Sequence, residues 1–309
     1  MAATWPVDDG VFGQWVVGIW KPSGTGARVG LLLAIIADLA IFGLGSRWLG
    51  IPPLISFDGS LLLEPSPTAA VAAIALLLAL ATAVGTVLAG SVRFEAGLFA
   101  AALGMIVVSL RSGTVQTVLQ QSNGDDHVFV ALAAELLILA VVLGALWAML
   151  WIAGRAKLVR PVAPEAGAVA DGPPAAHGAA AASGSEHPAM KLAATAAQAV
   201  VTAIIMMFLC QSQAKYQALA SLAIASTVGT IVAYHSFPTR PSVWFWTGPL
   251  LVGFFGYILA ASGQDSGIAV GNPQGMFAAL ARPLPVDYAS VGTAGAIWGY
   301  WIVRKRQPA

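Results

Sequence analysis

Residues 29–49 read VGLLLAIIADLAIFGLGSRWL. Before Arg47 the only charged side chain in this stretch is Asp38, and about 20 apolar residues is the length an α-helix needs to cross a hydrocarbon core roughly 30 Å thick. The stretch is therefore read as a transmembrane helix with one acid near its middle. Six further runs of comparable apolarity follow at 68–90, 94–110, 128–152, 190–210, 216–234 and 242–262. A last run at 289–303 is short. Tyr288, Trp298, Tyr300 and Trp301 suit the membrane interfaces, however, and small length mismatches cost little. The expected fold class is all-α: a polytopic integral membrane protein of about eight transmembrane helices in two four-helix halves.

Composition agrees with that reading. A soluble domain carries about 25% charged residues, whereas this chain of 309 residues carries 9%, with 58% hydrophobic. Too few charges remain to cover a water-facing surface. The net charge of +1, without a clustered basic face, excludes a nucleic-acid partner. Cys210 is the single cysteine, so no intrachain disulfide forms. Asp8 and Asp9 precede any basic residue, which is unlike a cleaved signal peptide, and the first segment is expected to stay in the mature protein.

Loop charges give the expected orientation. With both termini cytoplasmic, eleven basic residues face inward (Lys21, Arg28, Arg93, Arg155, Lys157, Arg160, Lys191, Arg240, Arg304, Lys305 and Arg306). Four face outward: Arg47, Arg111, Lys215 and Arg282. The expected location is the bacterial inner (cytoplasmic) membrane. The partners expected are the lipid bilayer and either other membrane proteins or further copies of the chain. The domain division has an interfacial N-terminal segment (1–28), a first transmembrane half (29–152), a flexible cytoplasmic linker (153–189), a second half (190–303) and a basic cytoplasmic tail (304–309). The linker is rich in Ala, Gly and Pro and buries too little apolar surface to offset its ordering entropy. A degenerate duplication of the halves is suggested by Val84-Gly-Thr-Val-Leu-Ala89 against Val228-Gly-Thr-Ile-Val-Ala233, and by Leu98, Gly104 and Ile106 against Leu250, Gly256 and Ile258. Residues 276–280, between prolines, read as a surface turn or the tip of a re-entrant loop.

An ionisable group at membrane depth is costly and usually faces a cavity or a partner. Asp38 and Glu135 are the two that qualify, and they are the candidates for a proton or cation relay; the structural alternative has each acid fixing bundle geometry through a hydrogen bond. Asp38 is expected to face the bundle interior with Ala34 and Gly45 closest to it and Leu31, Ile35, Ile41 and Phe42 completing that face, with Val29, Leu33, Ile36 and Leu44 toward lipid. Arg111, Gln116 and Gln120 after the third run, with Gln211 and Lys215 between the fifth and sixth, are candidates for a polar vestibule on the outer side. Glu95 and Asp287 carry little weight by sequence. Small residues four apart, as in Ala81, Gly85 and Ala89, in Ala100 and Gly104, and in Gly295 and Gly299, mark close helix packing.

No phosphate loop, HExxH pair, GxSxG elbow, TVGYG-like filter or Cys/His metal box is present. No catalytic residue, metal site or cofactor is expected, and the sequence points away from an enzyme. Two functions remain: translocation of a small solute or ion coupled to protons, or a non-catalytic scaffold within a larger membrane complex.

Overall fold

Proline at the first turn of a helix loses nothing, because its missing N–H would have no partner there. Helix α2 (Pro67–Ala89) starts in this way. The computed structural model describes residues 25–48, 60–63, 66–90, 93, 95–122, 127–155, 188–239, 242–262 and 278–304. Most of the expected interfacial segment, nearly all of the linker and nearly all of the basic tail lie outside the described residues; residues 25–28 of that segment belong to the first long helix. Among the described residues every regular element is helical. Six helices are long and apolar enough to cross a membrane: α1 (Thr25–Trp48), α2, α6 (His127–Arg155), α7 (Pro188–Leu209), α8 (Lys215–Ser236) and α9 (Val243–Ala261).

The other two expected spans are not among these six, so the count of eight does not carry over. The third run is a shorter apolar helix, Ala96–Arg111, made of α3 (Ala96–Gly104) and α4 (Ile106–Arg111), which join at Met105 with the backbone still right-handed helical. The Met105 carbonyl accepts from the N–H groups of both Val108 and Ser109, at 3.0 and 3.1 Å, which tightens the turn. After the short α5 (Val115–Gln121), capped by Thr114, no further division occurs until the last span. There α10 (Ala278–Ala281) and α11 (Pro285–Asp287) precede a π-helical turn, Tyr288–Gly292, which runs into α12 (Thr293–Arg304). Residues 278–281 are buried, which corrects the surface-turn alternative for that region. The apolar side chains of a proline-bounded segment gain more by packing inside than by facing water.

Helices α1, α2 and α3 pack on one another, and so do α7, α8 and α9, with α12 lying along α8. Helix α6 lies chiefly against α9 rather than against its predecessors in the chain. The π turn touches α3, α6, α8 and α9 and so sits at the junction of these groups. Close approach depends on glycine. A Cβ on Gly85 would stand 3.0 Å from the Gly97 Cα, and one on Gly295 would stand 2.9 Å from the Ala223 carbonyl oxygen. No hydrophobic force drives helices together in lipid, so such contacts carry the association. Outward faces are apolar and uncovered: Val87 is 84% exposed and Phe208 74%. Periodicity alone places the lipid face of α1 correctly, since Val29, Leu33, Ile36 and Leu44 are exposed while Leu31, Ala34, Asp38 and Phe42 are buried.

Candidate functional site

Asp287 ends α11 where the chain enters the π turn, and its side chain is fully buried. Lys215, the first residue of α8, reaches it across the bundle: Nζ lies 2.8 Å from both carboxylate oxygens and 2.9 Å from the Ser112 hydroxyl. Asp287 also accepts from Ser109 Oγ at 2.5 Å and from the Leu284 N–H at 2.8 Å. One carboxylate thus ties together α4, α8 and the entrance to the last helix. Ser112 in turn donates to the Ser109 carbonyl at 2.7 Å. The pair is closed by hydrogen bonds, as a buried ion pair must be to offset its desolvation.

The surrounding wall is polar along one line. Tyr288, first residue of the π turn, donates to the Leu280 carbonyl at 2.6 Å, and Tyr257 of α9 donates to the Pro283 carbonyl. Arg282 donates to the carbonyl of Cys210. Glu135, two turns into α6, lies within electrostatic range of Asp287, and Tyr257 lies within range of both acids. Glu135 Oε2 accepts from Ser60 Oγ and the Leu61 N–H, each at 2.7 Å, so it anchors the segment ahead of α2. Its Oε1 is buried with no hydrogen-bond partner among the described residues.

The sequence candidates are placed as follows. Glu135 and Lys215 belong to this cluster. Asp38 does not: it lies between α2 and α3, against Gly85 and Gly104, and none of its contacts is shared with Glu135. Arg111, at the end of α4, donates to the Gly43 carbonyl at 3.3 Å and so ties α4 to α1. Gln211 donates to the Met207 carbonyl and Gln217 to the Leu209 carbonyl at 2.9 Å, which serves the C-terminal end of α7. On α5, Gln116 is half-buried and Gln120 exposed.

Three polar groups went unweighted or nearly so in the sequence. Asp287 is the central one; its signal was an acid between Pro285 and Tyr288 at the mouth of an otherwise apolar span. Glu95, at the opposite end of the bundle, accepts from the Ser242 hydroxyl and from Trp301 Nε1, the latter at 3.3 Å, with the Arg93 guanidinium over the Trp301 ring at 5.7 Å. Gln198 is buried in α7 and donates to Thr202 Oγ1 at 3.2 Å. The Glu95 cluster joins α9 and α12 through hydrogen bonds and aromatic contacts and holds that end shut.

Chemically, the Lys215–Asp287 cluster offers one fixed cation, one fixed anion and two hydroxyls beside the π turn, with a second acid, Glu135, within electrostatic range. Among the described residues it holds no nucleophile paired with a base. Compared with protein-family models, curated proteins and solved structures, the chain matches none.

Proposed function

We propose that this membrane protein translocates a small solute or ion, with protons or cations as the coupling species, through the end of the bundle that holds Lys215, Asp287 and Glu135. The observation that carries the reading is the pair of half-buried Lys215 with wholly buried Asp287, lying against a π turn. Single π turns within α-helices recur at functional sites, and ionisable groups within membrane segments face a partner or a path. Glu135 adds an acid whose second oxygen is not used by the segment it anchors. The test is flux. Purified protein in liposomes is expected to dissipate an imposed pH or ion gradient. Glu135→Gln and Asp287→Asn, each recovered as folded protein, are expected to lower the rate at least tenfold. Wild-type protein that is inert to such gradients while co-purifying with a fixed membrane partner would establish the scaffold instead.

In this reading 96–111 and 285–304 are the third and eighth spans, and the two halves meet at the π turn. Both termini and the linker are cytoplasmic, in a bacterial inner membrane. The sorting of contacts supports this sidedness: Arg93 and Arg304, expected inside, share the Glu95 end, while Ser112, Lys215 and Arg282 share the other. Reporter fusions after Ala309 and within 172–185 are expected to read cytoplasmic. A periplasmic signal from either would reverse the assignment.

A further inference from the structure

Asp38 sits fourteen residues into α1, at mid-span, and its side chain is fully buried. Neither carboxylate oxygen has a hydrogen-bond partner among the described residues. Two glycines make the room it occupies. A Cβ on Gly85 of α2 would stand 3.1 Å from Oδ2, and one on Gly104 of α3 would stand 2.8 Å from the Asp38 backbone. One turn before Gly85, the hydroxyl of Thr82 is also buried with no partner among the described residues, whereas Thr86 donates its own to the Thr82 carbonyl at 2.6 Å.

Among the described residues nothing on the packed helices neutralises the acid. Helices α2 and α3 carry no titratable side chain at all, and α4 carries only Arg111, which donates to Gly43. On α1 itself Arg28 is ten residues distant, about 15 Å along the axis, and Arg47 lies beyond Gly43. A lone carboxylate in such surroundings is strongly disfavoured unless a positive charge accompanies it.

The second half supplies an internal comparison. Gln198 of α7 meets Gly229 of α8 through its backbone and Gly248 of α9 through its side chain. The glycines 85 and 104 and the glycines 229 and 248 are separated by the same 19 residues. The contacts are exchanged between the halves, since Asp38 meets Gly85 with its side chain and Gly104 with its backbone. Gln198 therefore shows a buried polar side chain seated against a glycine as a neutral amide that bonds to Thr202, where the first half seats an acid.

We infer that Asp38, between Gly85 and Gly104, is a binding site for one monovalent cation, a proton or a sodium ion. A single buried carboxylate matches one positive charge, not a divalent ion, which takes several oxygen ligands. The site is separate from the Lys215–Asp287 cluster and stands whether or not that cluster moves a solute; under the translocation reading it holds the coupling ion.

The test uses the full chain in detergent and dicyclohexylcarbodiimide, a hydrophobic reagent that adds to neutral carboxyl groups and leaves a stable adduct mapped by mass spectrometry. The expected result is an adduct on Asp38, absent in Asp38→Asn. If sodium is the ion, sodium chloride slows labelling at least tenfold relative to choline chloride at equal ionic strength. If the ion is a proton, labelling is slowed by alkaline pH and is indifferent to sodium. A second measurement covers poor reagent access: the melting temperature of the wild type is expected to respond to sodium or to pH, and that response is expected to be missing in Asp38→Asn. An Asp38→Asn variant that responds to both ions as the wild type does overturns the proposal, as does an adduct on Asp38 that forms at the same rate under all these conditions. Neither result depends on flux, so failure here is distinguishable from failure of the translocation reading.

Discussion

Lys215→Met is expected to destabilise the protein by about 3–5 kcal/mol, because it strands a buried carboxylate whose counter-ion has been removed. Asp287 is wholly buried and receives two contacts from the ammonium at 2.8 Å. Ser109 and the Leu284 N–H remain but bring no charge. The double variant Lys215→Met with Asp287→Asn is expected to recover most of the loss. The amide keeps an acceptor for Leu284 and leaves no buried ion, and a pair replaced as a whole costs far less than a pair broken. Melting curves of the three proteins in one detergent provide the check. Additive losses in the double variant would show that the two side chains are not coupled, and the ion pair would lose its place in the account of the site.

Gly104→Leu is expected to cost on the order of 3 kcal/mol, the upper part of the range for overpacking. Its Cβ would stand 2.8 Å from the carbonyl carbon, oxygen and Cβ of Asp38. Two of these atoms are backbone, so no rotamer change relieves the clash and α1 must move away from α3. Size-exclusion profiles after a heating series should show early loss of the monodisperse peak. Gly144→Ala in α6 is the control, since a Cβ there meets nothing within 4 Å. It is expected to be neutral or to stabilise by up to about 1 kcal/mol through helix propensity. Equal behaviour of the two variants would mean that α1 and α3 do not approach as closely as described.

The site was legible in part. Glu135 and Lys215 stand out in a sequence as poor in charge as this one, and both lie in the cluster. Asp287 did not stand out, because an acid at the end of a span reads as an ordinary loop residue until Lys215, 72 positions earlier, and Ser109, 178 positions earlier, are brought to it. Asp38 and Glu135 have similar depths in the sequence, which left open whether they share a site. Depth follows from position along a helix, but proximity needs the arrangement of helices around one another. The structure puts α1 against α2 and α3, and α6 against α9.

Local chemistry by itself determined the all-helical membrane class, the position of the six long spans and the lipid face of α1. Each of these depends on hydropathy within one segment and on a period of 3.6 residues, both of which are written in consecutive residues. Only the tertiary structure decided where the helices depart from regular α-geometry and which polar groups meet. The tightened turn at Met105 and the π turn at Tyr288 carry no proline at the point of departure. Helix partners were undecided for a related reason. Spans rich in Ala, Leu and Val resemble one another, and their pairing turns on a few glycines and buried polar groups that act only when another helix arrives to be satisfied by them.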